Sequence, residues 1–167
     1  MLQHRAGRPH PGARLRLAAA LTGVLVGAAA CQSAATQYDA AEDVRAFIVA
    51  AREGDRATFE RHLDRSAIRT QLLAAIREQA GPIGDVLGEG LVDQLLSPEG
   101  LRLALEQAGA PQRTPTAAEI ATQLRTLDNG QVCLPRSQDG PCAVTFARSG
   151  EVWKLVAIDT SGLKVGG

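Results

Sequence analysis

The chain has 167 residues, 18 Lys and Arg against 18 Asp and Glu, three cysteines and 45% hydrophobic residues. That is about one domain with no spare charge of either sign. With no Lys/Arg cluster in its body, the chain lacks the electrostatic footprint of a nucleic-acid-binding protein.

The first thirty residues differ from the rest. Arg5, Arg8, Arg14 and Arg16 stand in a stretch without an acid, and Leu17 to Ala30 is a run of small and apolar residues ending Ala28-Ala29-Ala30-Cys31. The run is shorter than the roughly 20 residues that a membrane span requires, and it suits the hydrophobic region of a signal peptide. Small residues directly before a Cys resemble the bacterial lipobox, with Ala28 where Leu is commonest. The expectation is a lipoprotein signal over 1–30, cleaved so that Cys31 becomes the lipid-carrying first residue and anchors the chain to a membrane. An ordinary secretory signal cut near Ala30 is the alternative. Removal takes four basic residues and no acid, leaving 137 residues with 14 Lys and Arg against 18 Asp and Glu, a net charge of −4. Gln32 follows the Cys where Asp would otherwise stand. In enteric-like bacteria that resembles an outer-membrane address, facing the periplasm. Residues 31–37 read as the lipidated start and a flexible tether, 38–163 as a single α+β domain, and 164–167 as a frayed tail.

A first helix is expected from Asp39 to about Glu53, with Val44, Phe47, Ile48 and Ala51 on one stripe and Gly54 as its stop. Asp55 caps a short second helix that carries Phe59 and Leu63. A third, from about Ser66, repeats Ile68, Leu72 and Ile76 and ends at Gly81-Pro82. From Pro82 the pattern stays helical but Gly-rich. Val86, Leu87, Leu91, Leu95 and Leu96 form a broad apolar side, and Gly84, Gly88 and Gly90 either weaken the helix or allow close packing. Ser97-Pro98-Glu99 is a helix start. Thr116 to Glu119 has capping-box spacing, and Ile120, Leu124 and Leu127 extend a short helix after it. Asp128-Asn129-Gly130 is a turn.

From Gln131 the pattern changes to strands: Gln131–Leu134, Cys142–Arg148 and Val152–Ile158, with Trp153 and Leu155 on one face of the last. The fold class is therefore α+β, five or six helices followed by a small three-stranded antiparallel meander. Phe47, Phe59, Phe146, Trp153 and Leu155 are its core candidates.

Cys133 and Cys142 lie nine apart at the ends of two expected strands, with Pro135, Asp139-Gly140 and Pro141 favouring a reversal between them. In an oxidising compartment such a pair joins, and closing so short a loop stabilises by about 2–3 kcal/mol. Two free thiols are the alternative. A zinc site is disfavoured, because the two Cys and His62 make only three ligands without motif spacing. The pair is not the Cys-x-x-Cys arrangement of redox enzymes.

No catalytic set emerges and no cofactor is implied. His62 has no nucleophile in a recognisable motif nearby. Asp39, Glu42, Asp43, Asp55, Asp64 and Asp159 are read first as caps, dipole partners and solvation. Asp64 and Arg69 flank the start of the third helix. They are read either as a structural ion pair or as an anion grip centred on Arg69.

Several short motifs occur together in order. Gly54-Asp55, Leu63-Asp64 and Ala67-Ile68-Arg69 with Leu72 resemble the opening of the bacterial domain-of-unknown-function family 2939. Leu91-Val92-Asp93 with Ser97-Pro98-Glu99-Gly100-Leu101 resembles its middle, and Val152-Trp153-Lys154-Leu155 with Ile158 its closing strand. Arg65 departs from the aromatic expected after the Asp, and the cysteine pair is not part of the resemblance. The family has no established activity, so the resemblance bears on location and architecture. Helices followed by a curved sheet are also loosely similar to cone-shaped ligand-binding folds of the nuclear-transport-factor type, an analogy that transfers no function. Three functional expectations stand: a non-catalytic envelope lipoprotein with a protein partner, a small-ligand binder with a pocket between helices and sheet, and a hydrolase or isomerase using Asp64, Asp159 or His62.

Overall fold

The computed structural model describes residues 15–81, 83–107 and 113–161, with side chains described from Gln32 onward except at 83–87, 104, 105 and 107. The chain divides into two compact units, Met1–Ala34 and Ala35–Gly167. Among the described residues, six helices precede the sheet: α1 Leu15–Glu53, α2 Arg56–Arg61, α3 Arg65–Ala80, α4 Ile83–Leu95, α5 Pro98–Gln107 and α6 Ala117–Gln123. The sheet has four antiparallel strands, not three, in the order β1 Arg125–Thr126, β2 Val132–Pro135, β3 Cys142–Ser149 and β4 Val152–Ile158.

Two boundaries depart from the sequence reading. Helix α1 begins at Leu15, so residues 32–37, expected as a tether, are helical. The reason is compositional: Gln32-Ser33-Ala34-Ala35-Thr36-Gln37 holds neither Gly nor Pro, and Ala is the strongest helix former. At the other end, α6 stops at Gln123 because Leu124 turns extended (φ −70°, ψ 141°). Arg125 and Thr126 then pair with Cys133 and Val132. The Asp128-Asn129-Gly130 turn closes this hairpin, with Leu127 N donating to Gln131 O at 2.8 Å and Gly130 in the left-handed region at φ 78°. Leu127 therefore belongs to the hairpin and not to a helix face.

The helix ends obey local chemistry. Asp55 and Asp64 accept from the amides of Thr58 and Ala67 at the starts of α2 and α3. Ser97 Oγ accepts from Gly100 N at 3.0 Å. Thr116 and Glu119 form a complete capping box. Arg113 closes on the Glu119 carboxylate, and with the Thr116 amide it draws that carboxyl down to about 2.

One core serves helices and sheet together. From α1 come Ala40, Ala41, Val44, Phe47, Ala50 and Ala51, small residues alternating with large so that the helix sits close. Ile68, Leu72 and Ile76 come from α3, and Phe146, Trp153 and Leu155 from β3 and β4. Phe47 stacks on Phe59 with ring centroids 4.8 Å apart and meets Phe146 edge-on at 6.2 Å. Among the described residues of α4, Gly88 and Val92 are buried, while Leu91 faces out. Of the expected apolar side, Leu96 is buried and Leu95 half-buried, Leu91 departs from it, and Val86 and Leu87 lie outside the described side chains. Close approach explains two glycines. A Cβ on Gly88 would stand 3.3 Å from Leu73 Cδ2 on α3, and one on Gly100 would stand 2.1 Å from the backbone oxygen of Gln94.

Among the described residues, no helix is long and apolar enough to cross a membrane.

Candidate functional site

Strand β4 ends the sheet, and its outer edge would otherwise offer unpaired backbone groups. Helical residues occupy it instead. Trp153 N donates to Asp43 Oδ2 at 2.8 Å, and Trp153 O accepts from His62 Nδ1 at 3.2 Å. Leu155 N donates to His62 O at 2.8 Å, and Leu155 O accepts from Asp64 N at 2.9 Å, so Leu63 forms a parallel bridge to the strand. Farther along, Gln71 donates through Nε2 to Val156 O at 2.8 Å and accepts from Ile158 N at 3.2 Å. Asp39, one turn before Asp43 on α1, accepts from the indole nitrogen of Trp153 at 2.9 Å and pairs with Arg148 of β3.

This cluster gathers His62, two carboxylates and an indole, but its chemistry is structural. His62 is buried, and donation to a carbonyl requires a proton on Nδ1. Asp43 lies 3.8 Å from that nitrogen and is itself engaged by a backbone amide. No nucleophile accompanies the imidazole in these contacts. A catalytic base needs a proton to abstract from a substrate within hydrogen-bond reach, whereas His62 already serves β4.

The structure separates Asp64 from Arg69. Asp64 caps α3, and Arg69 reaches α4, pairing with Asp93 and standing 3.9 Å from Glu89. The pair expected between them is absent, because Asp64 is turned toward the amide of Ala67 inside its own first turn. Arg65 is the hub of this surface. It grips Glu60, donates to Leu96 O at 2.9 Å and lies 3.9 Å from Asp93, tying α2, α3 and α4 together. The Glu60 carboxylate raises the Arg65 guanidinium above its ordinary value. Asp159 forms a 2.8 Å ion pair with Arg136 and accepts from Ser161 N, and the Ser161 amide lowers its carboxyl. His62, Asp64 and Asp159 are thus each committed to separate structural contacts.

Phe47, Phe59, Phe146, Trp153 and Leu155 are all buried. They fill the space between helices and sheet where a ligand pocket was one expectation. A different concavity lies at the β1 end of the sheet. It measures about 560 Å³ and is lined by Gln37 of α1, Thr122 and Gln123 of α6, Leu124 and Arg125, and Pro135 to Gln138 of the β2–β3 hairpin. Gln37 Nε2 donates to Leu124 O at 2.9 Å. Arg125 Nη2 donates to Gln138 O at 3.3 Å and Gly140 O at 3.1 Å, buttressing the hairpin loop from below. Cys133 and Cys142 are joined across the base of that loop, with Cα atoms 5.6 Å apart. Among the described residues no His/Cys/Asp/Glu group could hold a metal ion.

The disulfide is legible in the sequence, but the cleft behind it is not. Its walls come from three segments, the first separated from the others by more than eighty residues, and only the β1–β2 hairpin, itself unforeseen, brings them together. No protein-family model, curated protein or solved structure matches the chain.

Proposed function

We propose that this chain is a lipid-anchored protein of the bacterial envelope whose periplasm-facing domain is a non-catalytic binding or accessory module. The observation that carries the proposal is the Cys133–Cys142 bond at the base of the loop walling the cleft. Disulfides persist in exported proteins, and this one gives a binding wall a fixed shape. The Arg-bearing leader, the apolar run to Ala30 and the Cys at 31 support export and acylation, and the lipidated first residue would hold the domain at the membrane. Gln32 supports the outer membrane. The ordered resemblance to family 2939 supports an envelope domain and adds no activity. The non-catalytic part is supported by the engagement of His62, Asp43, Asp64 and Asp159 in caps, ion pairs and strand contacts. An envelope protein as partner fits the same reading.

The test is fractionation of the protein from a bacterial host with two membranes. The unaltered chain is expected with the outer membrane, Gln32→Asp with the inner, and Cys31→Ala uncleaved or released from acyl anchoring. Recovery of the unaltered chain in the cytosol would overturn the proposal.

A further inference from the structure

The cleft has a composition at odds with its protein. Beyond the leader, acids outnumber bases 18 to 14, yet none of the nine lining residues is an acid. They include two arginines, three glutamines, a serine and a threonine. Arg136 is balanced by Asp159. Arg125 is half-buried and has no carboxylate partner among the described residues. Its hydrogen bonds go from Nη2 to two backbone oxygens, neither of which neutralises the guanidinium charge that lines the cleft. A guanidinium in this setting matches an oxyanion, and side-chain amides and hydroxyls match the oxygens around it. The volume suits a small molecule or a headgroup.

Location narrows the class. Gln37 stands only six positions after Cys31, so the chain between them spans at most about 20 Å even when fully extended. A domain held by acyl chains on Cys31 therefore keeps this wall near the bilayer surface.

We infer that the cleft between Gln37, Arg125 and the disulfide-closed hairpin binds a phosphate-bearing ligand, with Arg125 as its charge partner. The inference rests on the anchored, non-catalytic reading for the ligand's whereabouts, and on the cleft alone for its chemistry. The phosphate belongs either to an anionic lipid headgroup or to a soluble phosphorylated compound.

The full chain, solubilised in detergent, is titrated with glycerol phosphate and with glycerol by calorimetry. Binding of the phosphate alone is expected, weakened about tenfold or more by Arg125→Gln, as the loss of a charged hydrogen bond predicts. Gln138→Glu, which sets a carboxylate in the wall and disturbs no observed side-chain bond, is expected to weaken it similarly with an unchanged melting temperature. Arg61→Gln, on the exposed face of α2, is the control and should change nothing. Because the leader's arginines also attract anionic vesicles, flotation compares two proteins that share the Cys31→Ala change, one keeping Arg125 and the other carrying Arg125→Gln. An Arg125-dependent preference for phosphatidylglycerol over phosphatidylcholine vesicles assigns the phosphate to a lipid, and equal flotation with retained glycerol phosphate binding assigns it to a soluble ligand. No binding in either arm, or binding that folded Gln138→Glu leaves intact, overturns the inference. Phosphate binding by a chain found to carry no acyl group would retain the cleft and remove the anchor, so the two failures are distinguishable.

Discussion

The carboxylate of Asp43 accepts the backbone amide of Trp153 across 110 residues of chain, at 2.8 Å. That contact begins a series in which helical residues, not another strand, satisfy the outer edge of β4. Removing the acceptor leaves a partly buried amide unpaired, which costs about 1–3 kcal/mol. Asp43→Ala is therefore expected to lose that much stability in urea denaturation. Asp43→Asn, which keeps a side-chain oxygen in place, should lose less.

Gln71 closes the other end of the same edge through both its amide atoms. Gln71→Ala would expose Val156 O and Ile158 N, with a stability loss of about 1–2 kcal/mol and a new site for strand pairing between molecules. Light scattering at rising concentration should show earlier self-association than in the parent. Identical scattering and identical stability would mean that Gln71 does not protect the edge.

Two glycines separate steric need from helix propensity. Gly100→Ala would drive a methyl group into the backbone oxygen of Gln94 and should destabilise by about 1–3 kcal/mol. Gly88→Ala would meet the end of the Leu73 side chain at 3.3 Å and Ile76 at ordinary contact, 3.5 Å. There the gain of about 1 kcal/mol from replacing Gly in a helix offsets the crowding. Thermal melts should show a clear loss for the first variant and little change for the second.

The α6 capping box carries a pH signature. Arg113 and Thr116 hold the Glu119 carboxyl down at about 2 in the fold, against 4.5 ordinarily. A lowered carboxyl favours the folded state above the ordinary value, and that contribution fades as pH falls toward 2. Glu119→Gln should therefore melt below the parent at pH 7, by a small margin because the pair is exposed to solvent. The difference should shrink below pH 4.5 and vanish near pH 2. A gap that stays constant across this range would contradict the ionic account.

What the sequence made legible was local. Alternation in Val152–Ile158 is a period-two signal, and it located β4 and the buried face holding Trp153 and Leu155. Asp55, Asp64 and Thr116 announced helix starts because capping operates within four residues. The spacing of Cys133 and Cys142 around two prolines marked the bridge. What remained hidden depends on contacts distant in sequence. β1 has two residues, too few for periodicity, and Leu124 and Leu127 sit at helical spacing that pairing with β2 overrides. Asp39 and Asp43 look like solvated helix acids until β4 lies against them. Arg69 faces Asp93 rather than Asp64 because α4 folds back on α3, which neighbouring residues cannot reveal.

The central claim is that the processed chain begins at an acylated Cys31 and carries its other two cysteines as one bond. Intact-mass measurement of the membrane-extracted protein, before and after reduction and alkylation, tests it most directly. The account predicts a chain lacking residues 1–30, heavier than residues 31–167 by a diacylglyceryl group with or without an N-acyl chain, and alkylated at Cys133 and Cys142 only after reduction. A chain of 167 residues without added lipid, and with three thiols that alkylate unreduced, would contradict it.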